Sequence, residues 1–378
     1  MHSDAVLAIV VVTAIAFDFT NGFHDTANAI ATSVSTRAMS PRIAVAMAAS
    51  LNFVGALISL QVAATIASGI VAEAQVTLLI VFAGLIGAIA WNLATWWFGL
   101  PSSSSHALIG GIVGATLAAA GTGAVHWRGL IDRVALPSIV APPLALACGW
   151  IAIVVIYRIV GHRRPGAVTR GFRLGQLGTA ALFSLSHGLN DAQKTMGIIF
   201  LALVTNGSVH AADGVPLWVV LASAGAITAG TYAGGWRIVR TMGSRIIKMD
   251  AAQGFAAQAV SAGVILVASH AGFPLSTTHV MSGSIMGTGA AKRLSAVRWG
   301  VAGSIAVAWV LTLPCSAAAG ATAYAAVRIF GTGTLGPAVV GAALIVVLAA
   351  SFARRASALR ALAAEGAGAR PPAAEGAS

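Results

Sequence analysis

Two short stretches of this sequence set acids, amides and a base inside otherwise apolar surroundings: GFHDTANAI at residues 22–30 and GLNDAQKTM at 188–196. An ionisable side chain in mid-membrane costs about 2.5–3.5 kcal/mol on insertion scales, so such groups turn toward an interior cavity and have a task. Four charged residues meet this description: Asp18, Asp25, Asp191 and Lys194. Asn28 follows Asp25 by three residues and Lys194 follows Asp191 by three, a spacing that puts each pair on one helix face. Two hydroxyl runs stand apart from these stretches. Ser103-Ser104-Ser105 follows Pro101, and Ser276-Thr277-Thr278 follows Pro274. Proline suits the opening turn of a helix, and the unpaired N–H groups of that turn, with several hydroxyl donors, make a seat for a multiply charged oxyanion.

The elements that must hold these residues are membrane spans. The 378 residues are 58% hydrophobic and only 8% charged, with mean hydropathy +0.88, far from the roughly 25% charge of soluble domains. About 20 apolar residues cross a bilayer as a helix, and the expected spans are 4–34, 43–66, 76–98, 101–123, 136–158, 172–205, 215–236, 251–270, 274–291, 299–327 and 333–353. The apolar run Ala5–Phe17 has no Lys or Arg before it, which reads as a first span rather than a cleaved signal peptide. Net charge is +12, yet the basic residues are scattered over short loops without interleaved aromatics, so nucleic acid is not an expected partner. If the Arg-rich loop 158–173 is cytoplasmic and each span reverses the side, 18 of the 22 Lys and Arg are cytoplasmic. The positive-inside bias then places the N-terminus outside and the C-terminus inside, in a cell membrane. Cys148 and Cys315 lie in apolar segments and read as packing residues.

The chemistry-bearing stretches form a repeat. PSSSSHALIGGIVG (101–114) matches PLSTTHVMSGSIMG (274–287) at Pro, Ser, His, Gly, Ile and Gly, and each lies a similar distance, 76 and 83 residues, beyond Asp25 and Asp191. About five crossings per copy is an odd number, so the second copy starts from the opposite side. The expected fold is therefore an all-α polytopic membrane protein of two inverted repeats, 1–160 and 161–330, with an additional span at 331–355 and a disordered cytoplasmic tail at 356–378. Such repeats carry their site at the midplane, on interrupted helices. Asn21-Gly22 and His187-Gly188 are the expected breaks, and the two hydroxyl runs the expected hairpin tips. Gly110, Gly114, Gly283 and Gly287 read as packing positions, and His106 and His279 as residues that order the hairpins by hydrogen bonds.

Taken together, the two Asp motifs and the LPSSSSH (100–106) and FPLSTTH (273–279) segments resemble the inorganic phosphate transporter (PiT) family over roughly residues 4–330. The resemblance implies symport of inorganic phosphate with H⁺ or Na⁺, no enzymatic activity, no cofactor, no resident metal, and a homodimer in the bilayer. It assigns substrate binding to Asp25, Asn28, Ser103, Ser104, Ser105, Asn190, Asp191, Lys194, Ser276, Thr277 and Thr278. Two positions depart from the family's Gly-x-Asn-Asp-x-x-Asn pattern. His24 replaces an Asn in the first copy and Lys194 replaces an Asn in the second. A cation at Lys194 repels Na⁺, and an imidazole with an unperturbed pKa near 6.5 exchanges protons at physiological pH. Both changes favour H⁺ coupling through His24, Asp25 and Asp191, and resemble the bacterial proton-coupled low-affinity branch, whose substrate is a neutral divalent metal–phosphate complex.

Sodium-coupled phosphate transport and sulfate transport are the alternatives of the same fold. Phosphate retains a proton near pH 7 that it can donate to a carboxylate, which sulfate cannot do. A membrane-embedded hydrolase, suggested by Ser-His adjacency, lacks a nucleophile elbow and a following acid. Asp25→Asn and Asp191→Asn are each expected to abolish phosphate uptake in reconstituted vesicles while the protein still inserts; near-normal uptake by both variants overturns their assignment.

Overall fold

A computed structural model describes residues 2–63, 71 and 75–368. Helix dominates, and the single Val71–Val125 bridge is the only β pairing among those residues. The main helices are α1 (His2–Ser35), α2 (Pro41–Ala56), α3 (Leu78–Phe98), α4 (Ser104–Ala120), α5 (Leu136–Val160), α6 (Pro165–Thr205), α7 (Leu217–Ala233), α8 (Trp236–Arg240), α9 (Ala251–His270), α10 (Thr277–Lys292), α11 (Trp299–Ile329) and α12 (Leu335–Gly368). Five of the apolar helical stretches are long enough to cross a membrane, and α7 joins them if it is taken with the segment Trp236–Arg245, from which it is bent by 57°.

The expected breaks at Asn21-Gly22 and His187-Gly188 are not there. Both α1 and α6 run unbroken through their acids. The glycines serve close approach instead. A Cβ at Gly22 would overlap the carbonyl oxygen of Ile227 on α7, and one at Gly188 that of Asn52 on α2. The approach is reciprocal, since Gly230 lies against the backbone of Phe19 and Gly55 against that of Leu185. Backbone contact of this kind is what small residues provide between membrane helices. The break falls elsewhere, at Gly234-Gly235, where Gly234 has φ 73°.

Two pairs of consecutive helices form hairpins, each turned by a left-handed glycine followed by proline. Gly99 (φ 68°) precedes Pro101 between α3 and α4, and Gly272 (φ 74°) precedes Pro274 between α9 and α10. With 17 and 16 residues, α4 and α10 reach about 25 Å at 1.5 Å per residue, short of a hydrocarbon core about 30 Å thick. They are returning arms, and the expectation of a full crossing at 101–123 and at 274–291 is corrected accordingly. Glycine packing holds them: Gly110 and Gly114 lie on Leu313 and Ala317 of α11, while Gly283 and Gly287 lie on Pro142 and Leu146 of α5.

Two large hydrophobic clusters divide the molecule along α1 and α6. One joins Val6, Val10, Ala14 and Phe17 of α1 to Met196–Leu203 of α6 and to the α3–α4 hairpin, including Leu79, Phe82, Leu108 and Ile112. The other joins Ala27, Ile30 and Ala31 of α1 to Ala180 and Phe183 of α6 and to the α9–α10 hairpin, including Ala262, Ile265, Ile285 and Met286. One hairpin thus packs against the N-terminal half of α1 and the other against its C-terminal half. Between the clusters, 18–28 on α1 and 184–195 on α6 bring buried polar side chains. At the other end of the chain, α12 continues the last expected span to Gly368, and residues 369–378 of the expected tail lie outside the described residues.

Gly188→Ala is expected to cost about 1–3 kcal/mol through overpacking, seen as a lowered unfolding midpoint of the detergent-solubilised protein. Gly178→Ala, on the same helix with open space around the new Cβ, is expected to leave that midpoint equal or higher. Equal midpoints for the two variants overturn the close-contact reading.

Candidate functional site

Four elements converge where the clusters part: the middles of α1 and α6 and the tips of the two hairpins. At each tip the first hydroxyl of the run caps its helix. Ser103 accepts from His106 N and Ser276 from His279 N, which leaves Ser105, Thr277 and Thr278 to reach the long helices. This division follows from ordinary capping, in which the N-cap oxygen takes an N–H of the first turn.

Lys194 is the hub. Its ammonium, buried to 1% exposure, donates to Asp191 Oδ1, to Ser105 Oγ on the first hairpin at 2.5 Å, and to the Leu275 carbonyl on the second at 3.1 Å. On the other oxygen of Asp191, Thr277 donates at 3.2 Å and His187 Nε2 lies at 2.9 Å. Asn190 supports the same carboxylate, reaching Oδ1 at 3.1 Å while also donating to Leu275 O at 2.9 Å.

Asp25 has a parallel set of partners. His24 Nδ1 lies 2.8 Å from Asp25 Oδ1, and its Nε2 lies 3.1 Å from Thr95 Oγ1 and 3.4 Å from Ser102 Oγ. Thr278 donates to Asp25 at 3.3 Å. Asn28 then links the two acids, since its Nδ2 donates to Thr278 Oγ1 at 2.8 Å and to Thr277 Oγ1 at 3.2 Å. Ser104 Oγ and Asn28 Oδ1 are buried without a partner among the described residues. All these side chains are buried.

Every expected site residue except the two caps and Ser104, whose hydroxyl has no partner among the described residues, therefore enters one network. Sequence reasoning missed His187, Thr95 and Ser102. His187 stands four residues before Asp191 and Lys194 three after it, so both lie one helical turn from the acid, and that offset was the available signal. Thr95 and Ser102 flank the Gly99 turn, and only the turn brings them to His24. The histidines of the tips meet each other: His106 and His279 pack edge to face with ring centroids 4.9 Å apart, and His279 lies 4.4 Å from Trp309.

Asp25, His187 and Asp191 present one ligand atom each within 4.8 Å of one another, an oxygen and imidazole donor set that suits a cation. Beside it lie an ammonium, amide donors, hydroxyls and two helix N-termini, which suit an anion. A buried polar network in the middle of an apolar helical bundle, with ligand atoms for both signs of charge, defines a membrane transporter for a small anion.

The comparisons agree. Residues 21–320 match the phosphate transporter family, and the chain belongs to that family. A probable low-affinity inorganic phosphate transporter of Mycobacterium tuberculosis is 54% identical over 326 residues, covering 86% of this chain and 78% of its own length. One of the same description from Bacillus subtilis is 46% identical, covering 84% and 95%. Among solved structures, a sodium-dependent phosphate transporter superposes with TM-score 0.79 at 26% identity, covering 86% of this chain and 99% of its own. The protein is a multi-pass membrane transporter and not an enzyme.

Ser104→Ala is expected to raise the KM for phosphate about tenfold to a hundredfold, the ~1.5–3 kcal/mol of one charge-assisted hydrogen bond, with little change in kcat. Ser103→Ala, which removes a cap, is expected to lower thermal stability by about 1 kcal/mol and to change KM less. Transport kinetics and melts of the two purified variants check this, and an unchanged KM for Ser104→Ala removes that hydroxyl from the substrate.

Proposed function

We propose that this protein imports inorganic phosphate with low affinity by proton symport, binding it between the tips of the α3–α4 and α9–α10 hairpins. The observation that carries the reading is the meeting of Ser105, Thr277 and Thr278 with Asn28, Asp191 and Lys194 in one buried network. Lys194, Ser104, Ser105, Asn28 and the first-turn N–H groups of α4 and α10 would hold the phosphate oxygens. Asp25 and Asp191 would accept a proton that phosphate still carries, which favours phosphate over sulfate. With a divalent cation, phosphate forms a neutral complex, and Asp25, His187 and Asp191 are the residues that would face the metal of that cargo.

The two halves, 1–160 and 161–330, act in this reading as inverted repeats. The hairpins support it, since each packs against the opposite half of α1 and returns on the last long helix of the other repeat, α4 on α11 and α10 on α5. The charge bias puts the N-terminus outside and the C-terminus in the cytoplasm. Exposed apolar side chains such as Ile139, Ile159, Val310 and Ile329 supply the surface that faces lipid or a second copy of the chain in a homodimer.

The ammonium of Lys194 occupies Asp191, where a coupling Na⁺ would need an unpaired carboxylate, and this favours H⁺. Sodium coupling is the second reading, favoured by the sodium-dependent neighbour. Labelled phosphate uptake into proteoliposomes, with Na⁺ and pH gradients imposed separately, decides between them. Wild-type uptake is expected to follow the inward proton gradient and ignore Na⁺, and Lys194→Asn is expected to gain Na⁺ stimulation or to lose transport. Wild-type uptake that rises with Na⁺ at fixed pH, or a Lys194→Asn protein of unaltered ion dependence, overturns the reading.

A further inference from the structure

Three buried acids lie along the centre of the bundle, and two have basic partners. Asp191 has Lys194 and His187, and Asp25 has His24. Asp18 has none. It is 0% exposed, and no donor reaches either carboxylate oxygen with full hydrogen-bond geometry among the described residues, although Asn21 and Thr195 lie near enough to interact with it. It lies seven residues before Asp25 on an unbroken helix, hence on the same face and about 10 Å nearer the N-terminal end.

Two neutral polar groups lie beside it. Asn21 on α1 and Thr195 on α6 face Asp18, and Asn21 Oδ1 and Thr195 Oγ1 are likewise buried without partners. The charged groups that act on it are Asp191 and Lys194 of α6. Of the other helices packed against this stretch, α3 contains no titratable side chain, and α2 and α7 contribute only Arg42 and Tyr232, both exposed. A lone carboxylate in a dry interior is so costly that it binds a cation or a proton. A divalent cation would gather about six or more oxygen ligands, whereas the side chains named beside Asp18 are Asn21 and Thr195. One proton suffices: a protonated Asp18 donates to Asn21 Oδ1, and the Thr195 hydroxyl donates to the second carboxyl oxygen.

We propose that Asp18 is a proton-binding site of the transport cycle, taking its proton from external water when the site is open outward and losing it to cytoplasmic water when the site is open inward. The proposal rests on the proton-symport reading. It adds a carrier distinct from the residues at the hairpin tips. Asp191 is paired with Lys194 in the closed site, and Thr195, next to Lys194 on α6, ties the state of Asp18 to the helix that holds the substrate. A protonated Asp18 leaves α1 and α6 joined by hydrogen bonds, and an ionised one presents an unpaired charge between them, so the closed chamber forms with the proton aboard.

The test uses the purified full-length protein in proteoliposomes with radiolabelled inorganic phosphate. Exchange of phosphate across the membrane at equal pH needs no change in Asp18, whereas accumulation driven by an inward proton gradient does. Asp18→Asn, which resembles the protonated acid, is expected to exchange phosphate and to lose accumulation by about tenfold or more. Asp18→Glu is expected to accumulate phosphate with a displaced dependence on external pH, a readout that a purely structural role would leave in place. Proton-driven accumulation retained by Asp18→Asn overturns the proposal, as does an Asp18→Glu protein with the wild-type pH profile or with no transport. Wild-type uptake that is indifferent to the pH gradient overturns the symport reading itself, and Asp18 with it.

Discussion

A buried ammonium must have its hydrogen bonds made by the protein, and the centre of this molecule is arranged around that requirement. Lys194 has three donors and finds three acceptors, one on its own helix and one on each hairpin tip. The same contacts that solvate the charge therefore fasten together the parts that enclose the chamber. Removing one partner would leave a desolvated charge, which is far costlier than the net worth of the bond. The pair of Lys194 and Asp191 is also why the site can be neutral before substrate arrives, so that the incoming anion meets donors rather than an uncompensated acid.

Around this clamp the helices are placed by backbone contact more than by interlocking side chains. Gly22, Gly55, Gly188 and Gly230 let α1 meet α7 and α6 meet α2 closely enough for carbonyl oxygens to lie where a Cβ would be. The polar stretches of α1 and α6 then lie between two separate apolar clusters, one for each hairpin. Small residues in the long helices thus do two things at once. They remove bulk where helices cross, and they leave the neighbouring positions to Asn, Asp and His.

Much of the site was legible because the sequence states it twice. The match of residues 22–30 with 188–196 and of 101–114 with 274–287 marked Asp25, Asp191 and the hydroxyl runs without reference to coordinates, and the small-residue spacing marked the packing faces of α4 and α10. What was not legible came from features that a linear pattern does not encode. Gly22 and Gly188 look alike whether a helix breaks or passes close to a neighbour, and only the neighbour decides. Arms of 16 or 17 residues read as crossings because hydropathy does not report where a segment turns back. His187 was visible in the sequence as part of a suspected break, and its contact with Asp191 depends on the helix being continuous. Asp18 has no counterpart in the second repeat, so the duplication that identified the other acids was silent about it.

The continuity of α1 and α6 has a mechanical consequence. Each is a rod that passes through both apolar clusters, with its acid in between, and a rod stiffened by unbroken backbone hydrogen bonds does not let its two halves move independently. Tilting one half of α1 toward the α3–α4 hairpin carries the other half away from the α9–α10 hairpin, in the manner of a seesaw with the glycine crossings as its pivot. On that geometry, opening at one face and sealing at the other would be a single displacement of one stiff element.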